Sequence, residues 1–178
     1  HAHGNPHFLL DPVCGVQVAR LCCERFSRMR PAEAEGFRAR LAGFEGRIAA
    51  ALVGTEAVAA LGAAAVIDLA ADGTLRTRLD EAGLPLAGWL GLLTPEAPRA
   101  TPTVICDHEN WPYAARRFGL DIVGYLEPKP GLPPTSRHLA SLADLMRERG
   151  VTRIVISPPS DPRPAERLAA PTGAKVIT

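Results

Sequence analysis

The sequence predicts an α/β fold, helical in its first part and built on a parallel sheet in its second. Three observations carry that prediction. Beyond Pro102, short β-branched runs alternate with helical segments, the rhythm of parallel strands buried on both faces. Upstream of Pro102, apolar residues recur at three- and four-residue steps, as on amphipathic helices. Many segment ends carry boundary residues: an acidic cap or a proline at the start, and a glycine just past the end.

The elements follow in chain order. Asp11 before Pro12 is a carboxylate cap followed by proline at the first helical position, and the helix it opens runs to about Met29. A second helix starts near Pro31, with Glu33 and Glu35 in its positive first turn. Phe37, Leu41, Phe44, Ile48 and Leu52 form one apolar stripe along it, long enough for a rigid strut. Between Gly54 and Pro102 the pattern loosens. Short helices are expected at 63–70 and 75–82, with turns at Asp72-Gly73 and Gly83, while Gly88-Trp89-Leu90-Gly91 and 95–102 read as a connecting segment. Strands are predicted at 103–107, 121–126, 151–157 and 174–178, and helices from Pro112, Ser136 and Pro162. Gly119, Gly150 and Gly173 stand where C-caps belong.

Composition narrows the function. The 178 residues can form one sizeable domain, or one domain and part of another. Twenty Lys and Arg face 19 Asp and Glu, a net charge of +1, which gives no electrostatic case for nucleic acid or an acidic membrane. The most apolar stretch, 58–71, is interrupted by Gly62 and Asp68 and is too short to span a bilayer. The chain opens on His1 without an initiator methionine or signal peptide and stops at Thr178 inside a strand-like run, so a piece of a longer or processed protein is expected. The four cysteines lack Cys-x-x-Cys spacing. Cys14 and Cys22 on the first helix, and Cys106 on a strand, read as small buried hydrophobes.

Two histidines draw attention because a neutral imidazole is the commonest protein ligand for zinc. His7 lies in the stiff Asn5-Pro6-His7 turn ahead of a capped helix. His108 follows the first strand of the α/β part, at the carboxyl end where parallel sheets bind ligands. Judged singly, each is more often a structural polar residue than a ligand. Strand alternation sends Asp107 away from His108 and puts Cys106 on the same face, where a thiolate is a conceivable but weaker ligand. His138 reads as a solvated helical residue, and His1 and His3 sit at an open chain end. The run Glu127-Pro128-Lys129-Pro130-Gly131-Leu132-Pro133-Pro134 is a stiff loop at the same sheet edge as His108, suited to connect elements or to wall a cleft. A dinucleotide site needs glycines after the first strand; Asp107-His108-Glu109-Asn110-Trp111 has none and carries two carboxylates. No Gly-x-Ser-x-Gly or His-Glu-x-x-His motif occurs.

Together these runs resemble the zinc and manganese receptors of bacterial ABC importers. The resemblance rests on Asn5-Pro6-His7 with Leu10-Asp11-Pro12, on Gly88-Trp89-Leu90-Gly91, and on His108 with Trp111, Tyr113 and Phe118-Gly119-Leu120. It continues through Gly124-Tyr125-Leu126-Glu127-Pro128-Lys129-Pro130-Gly131 and Thr172-Gly173-Ala174. It implies a two-lobed metal-receptor fold joined by one long helix. Residues 1–30 would be a remnant of an incomplete N-terminal lobe, 31–102 the linking helix and its connecting segment, and 103–178 an incomplete C-terminal lobe with a parallel, doubly wound sheet. It also implies metal held between the lobes by four ligands, of which His7 matches the second and His108 the third. The first and fourth are expected before His1 and beyond Thr178. Where the family often carries an aromatic pair after the third strand, this sequence has Ser157-Pro158-Pro159-Ser160.

The resemblance further implies a non-enzymatic solute-binding protein, periplasmic or extracellular and compatible with a lipid anchor, whose partner is an ABC permease. Histidine rather than glutamate at the third ligand position favours Zn2+ over Mn2+ as the transported ion. Two alternatives stand beside it. A zinc-dependent hydrolase or lyase would need an open coordination position and a base, for which Glu109 is the nearby candidate. A fragment with residual metal binding would expose the faces bearing Leu9, Leu10 and Phe44.

Overall fold

The computed structural model describes residues 5–93, 102–129 and 131–178. They fall into two compact units, one of residues 8–93 and one of residues 5–7 with 102–178.

The first unit is helical. After a 3-10 turn at Phe8–Leu10, helix α1 spans Pro12–Met29, and Asp11 caps it by accepting the amide of Val13 at 2.9 Å. A second 3-10 turn, Pro31–Glu33, leads into α2, Ala34–Val53. Helices α3 (Thr55–Leu61), α4 (Ala63–Asp72), α5 (Leu75–Glu81) and α6 (Gly88–Leu93) follow. The core gathers Val13 and Val16 of α1, Leu52 and Val53 of α2, Val66 and Ile67 of α4, and Leu79 of α5. A polar link lies at its margin: Arg20 of α1 bonds the buried Glu45 of α2 at 2.5 Å and also reaches the exposed Asp68 of α4.

Three expectations change here. The buried face of α2 carries Ala34, Glu45, Ala49, Leu52 and Val53, whereas Phe37, Leu41, Phe44 and Ile48 are only half-buried. The reason is that α2 packs against α1, α3, α4 and α6, whose close approach suits alanine and the Arg20–Glu45 pair; Phe37 instead meets Phe26 at the margin, ring centroids 5.8 Å apart. Cys22 is exposed rather than buried, and all four cysteines are free thiols. Gly88-Trp89-Leu90-Gly91 belongs to a helix, not a connector. A Cβ on Gly88 would lie 2.5 Å from the carbonyl oxygen of Ala51, and one on Gly91 would lie 2.2 Å from that of Leu86. Glycine is what lets α6 abut the last turn of α2, and Gly88 also has φ +60°. Residues 95–101 of the expected connector, and His1 and His3, lie outside the described residues.

The second unit follows the sequence closely. Strands β1 (Thr103–Cys106), β2 (Asp121–Tyr125), β3 (Arg153–Val155) and β4 (Lys175–Ile177) form a wholly parallel sheet in the order β2-β1-β3-β4. Helices α7 (Pro112–Phe118), α8 (Ser136–Arg149) and α9 (Arg163–Thr172) connect them, each ending at a glycine in left-handed conformation. The chain leaves β1 toward one edge and returns past it to β3. Right-handed crossovers therefore put α7 on one face and α8 with α9 on the other, and α8 and α9 do pack together. The core joins Ile105 and Ile154 of the sheet to Leu142 and Met146 of α8 and Leu168 of α9. Gly124 lets α8 close on the sheet: a Cβ there would sit 2.9 Å from Leu142 Cδ2. Among the described residues no helix is long and apolar enough to cross a membrane.

Candidate metal centre

The strand order reverses between β1 and β3, so the crevice outside their carboxyl ends is the natural ligand position of this sheet. His108 stands there, two residues past the end of β1. His7 reaches the same place through three bonds made by the Asn5-Pro6-His7 turn. The Asn5 side-chain amide donates to the Glu109 carbonyl at 2.7 Å, the Tyr113 hydroxyl donates to the Asn5 carbonyl at 3.2 Å, and the His7 amide donates back to Asn5 Oδ1 at 2.9 Å. The turn is thus fastened to the loop that bears His108.

The outcome is a pair of half-buried imidazoles with centroids 5.5 Å apart and ring planes at 86°. Two rings sharing one tetrahedral zinc, each with nitrogen about 2 Å from the metal, would have centroids about 5 Å apart. The pair therefore stands close to the separation that a shared ion requires. Among the described residues no group of three or more His, Cys, Asp or Glu is gathered around a common point. Nδ1 of His108 lies 3.2 Å from Oε2 of Glu127.

Beneath the histidines, Asp107 is buried and acts as a bonding hub. Its Oδ1 accepts the His108 amide and the Trp111 indole N–H, each at 2.8 Å, and its Oδ2 accepts the Ser157 amide at 2.7 Å and the Ser160 hydroxyl at 2.5 Å. Burial opposes its charge, but the bonds from Ser160, Ser157 and Trp111 prevail and hold the carboxyl below its usual range. Ser157 also accepts the Asn110 side-chain amide at 2.8 Å. The Ser157-Pro158-Pro159-Ser160 run thus ties the β3 loop to the β1 loop with polar bonds. The sequence placed Asp107 away from His108 but gave no sign of this role, which depends on partners some fifty positions downstream in the chain.

Cys106 lies in the sheet core, 1% exposed. Burial, and secondarily the charge of Asp107, pushes its thiol up to about 12. Glu109 is exposed, and its backbone carbonyl is what serves the site. His138 departs from expectation: it is half-buried, with Nε2 2.9 Å from the Tyr125 carbonyl, linking α8 to β2. The proline-rich loop does form a wall. Glu127, Gly131, Pro133 and Pro134 line a cavity of about 400 Å³ with Asp107 and Ser160, while Pro130 lies outside the described residues.

The model of the family described as zinc-uptake complex component A, periplasmic, matches residues 88–178. A search of the curated proteins finds no match. Among solved structures, the chain is similar to ZnuA, at 21% identity over 97% of this chain and 52% of that one, with a TM-score of 0.65. It is similar to the laminin-binding adhesin Lmb of Streptococcus agalactiae, at 20% identity over 98% of this chain and 52% of that one, TM-score 0.63. It is also similar to FpvC of Pseudomonas aeruginosa in complex with Mn2+, at 19% identity over 97% and 52%, TM-score 0.65. At these identities the likeness speaks for the fold, a two-lobed receptor fold with a parallel sheet. The chain spans about half the length of each of these structures.

Proposed function

The chain belongs to the family of the periplasmic component A of zinc-uptake complexes, and we propose from that premise that it is part of an extracytoplasmic solute-binding protein that carries a divalent metal to an ABC permease. The family is one of transport components, not enzymes. One observation supports the metal role in this chain: His7 and His108, far apart in sequence, stand as a near-perpendicular ring pair with centroids 5.5 Å apart. The proposed cargo is Zn2+. Both candidate ligands are imidazoles, which suit zinc, whereas a manganese site favours carboxylates. A metal closed in by protein ligands is carried rather than used as a Lewis acid, which separates this proposal from a zinc hydrolase. Its place of work would be the periplasm or the cell exterior, with a lipid anchor as one means of retention.

Calorimetric titration with zinc tests the assignment. His7→Ala and His108→Ala are each expected to weaken binding by about 100-fold or more, since each removes a direct ligand. Zinc is expected to displace manganese, and manganese to fail to displace zinc. Parental affinity in both alanine variants would remove His7 and His108 from the site.

A further inference from the structure

We propose that Glu127 is a positioning residue for the metal centre: its carboxylate holds the proton of His108 on Nδ1, so that Nε2 is the nitrogen offered to the metal. The inference rests on His108 being a ligand, as proposed above. Three features of the structure carry it. Oε2 of Glu127 lies 3.2 Å from His108 Nδ1, and a carboxylate oxygen so near one ring nitrogen favours the tautomer with the proton on that nitrogen. The carboxylate is itself held in place, because the Gly131 amide donates to the same oxygen at 2.9 Å. The backbone beneath it is fixed too: the Glu127 amide donates to the Asp107 carbonyl at 3.0 Å and the Leu126 amide to the Cys106 carbonyl at 2.8 Å, so Glu127 is tied to the residue that precedes His108.

This gives the Glu-Pro-Lys-Pro-Gly run a purpose beyond stiffness. Pro128 restricts the chain directly after Glu127, and the turn back to Gly131 supplies the amide that locks the carboxylate. A histidine left to choose its tautomer would offer either nitrogen to the metal, whereas one held by a carboxylate meets it in a single orientation. Glu127 is half-buried in the loop wall and, among the described residues, forms no three-membered ligand group with the histidines. Its assigned role is to aim His108, and the Glu127→Gln variant separates that role from ion binding.

The test uses the 178-residue chain with ¹⁵N-labelled histidine, read by two-bond ¹H–¹⁵N correlation spectra of the zinc-free protein at neutral pH, and zinc titration of the same samples. His108 is expected to carry its proton on Nδ1 in the parent, to lose that preference in Glu127→Ala, and to recover it in Glu127→Gln, whose amide oxygen still accepts. Zinc affinity is expected to fall about 10- to 100-fold in Glu127→Ala and to be largely restored in Glu127→Gln. A parental His108 protonated on Nε2, or a Glu127→Ala variant that binds zinc as the parent does, would overturn the proposal. So would an equal loss of zinc binding in both variants with the tautomer unchanged, which would make Glu127 a ligand. If His7→Ala and His108→Ala bind zinc normally, the metal assignment fails instead, and the spectra still report whether Glu127 sets the tautomer.

Discussion

Asp107 shows how one side chain holds a site it does not enter. Its two oxygens take four donors from two loops: the His108 amide and the Trp111 indole after β1, and the Ser157 amide and the Ser160 hydroxyl after β3. Replacing it by alanine strands those half-buried donors together, and leaving a donor unsatisfied costs more than the bond itself contributes. We expect Asp107→Ala to destabilise this unit by about 3 kcal/mol, with Asp107→Asn between it and the parent because the amide keeps one accepting oxygen. Denaturant unfolding followed by Trp111 fluorescence in a Trp89→Phe background measures this; equal stability of parent and alanine variant would refute the hub. The neighbouring Cys106 gives a second prediction. Its thiol is pushed up to about 12 and is nearly inaccessible, so at pH 8 an alkylating reagent should leave it intact in the folded protein while exposed Cys22 reacts. Peptide mapping before and after denaturation distinguishes the two, and native alkylation of Cys106 would show that β1 opens.

At the scale of elements, glycines in one helical unit have opposite meanings. Gly46 lies inside α2 with nothing within 4 Å of an added Cβ, so Gly46→Ala should raise stability by about 0.5–1 kcal/mol through reduced backbone freedom. Gly88 has positive φ and the Ala51 carbonyl 2.5 Å from an added Cβ, so Gly88→Ala should lower it by about 2 kcal/mol as α6 is pushed off α2. Thermal melts by circular dichroism check both signs. The same contrast explains what could be read in advance. Elements opened by Asp11-Pro12 or by Pro112, or closed by Gly119, Gly150 and Gly173, are legible because caps act on adjacent residues. Helix α3 and helix α6 are not, since α3 sits between two positive-φ glycines and α6 exists where glycine permits tertiary contact. The candidate site divides likewise. His108 at the end of a strand is visible in the α/β rhythm. Pairing it with His7 took a family resemblance, because the Asn5 bonds that join them cross most of the chain.

For the molecule as a whole, one apolar surface stands out against a nearly neutral charge. Cys22, Cys23 and Phe26 of α1 line an open groove with Phe37, Leu41 and Phe44 of α2. Elsewhere on α1, Leu21 is 59% exposed and Met29 is 74% exposed. Exposed apolar faces of this kind are surfaces for association, and a formal charge of +1 supplies little repulsion to keep copies apart. The 178-residue chain should therefore self-associate as its concentration rises. Sedimentation velocity over a concentration series is expected to show a weight-average mass climbing above 18.9 kDa. Phe26→Ser with Met29→Ser should hold the chain near that mass, because both side chains are already largely exposed and their loss removes adhesive surface with little cost to the core. Zinc separates this behaviour from the metal centre, since the groove is built by α1 and α2 whereas His7 and His108 are fastened around the β1 loop. The double variant should keep parental zinc affinity while losing association; monomers at every concentration in the parent would show that the groove is not adhesive.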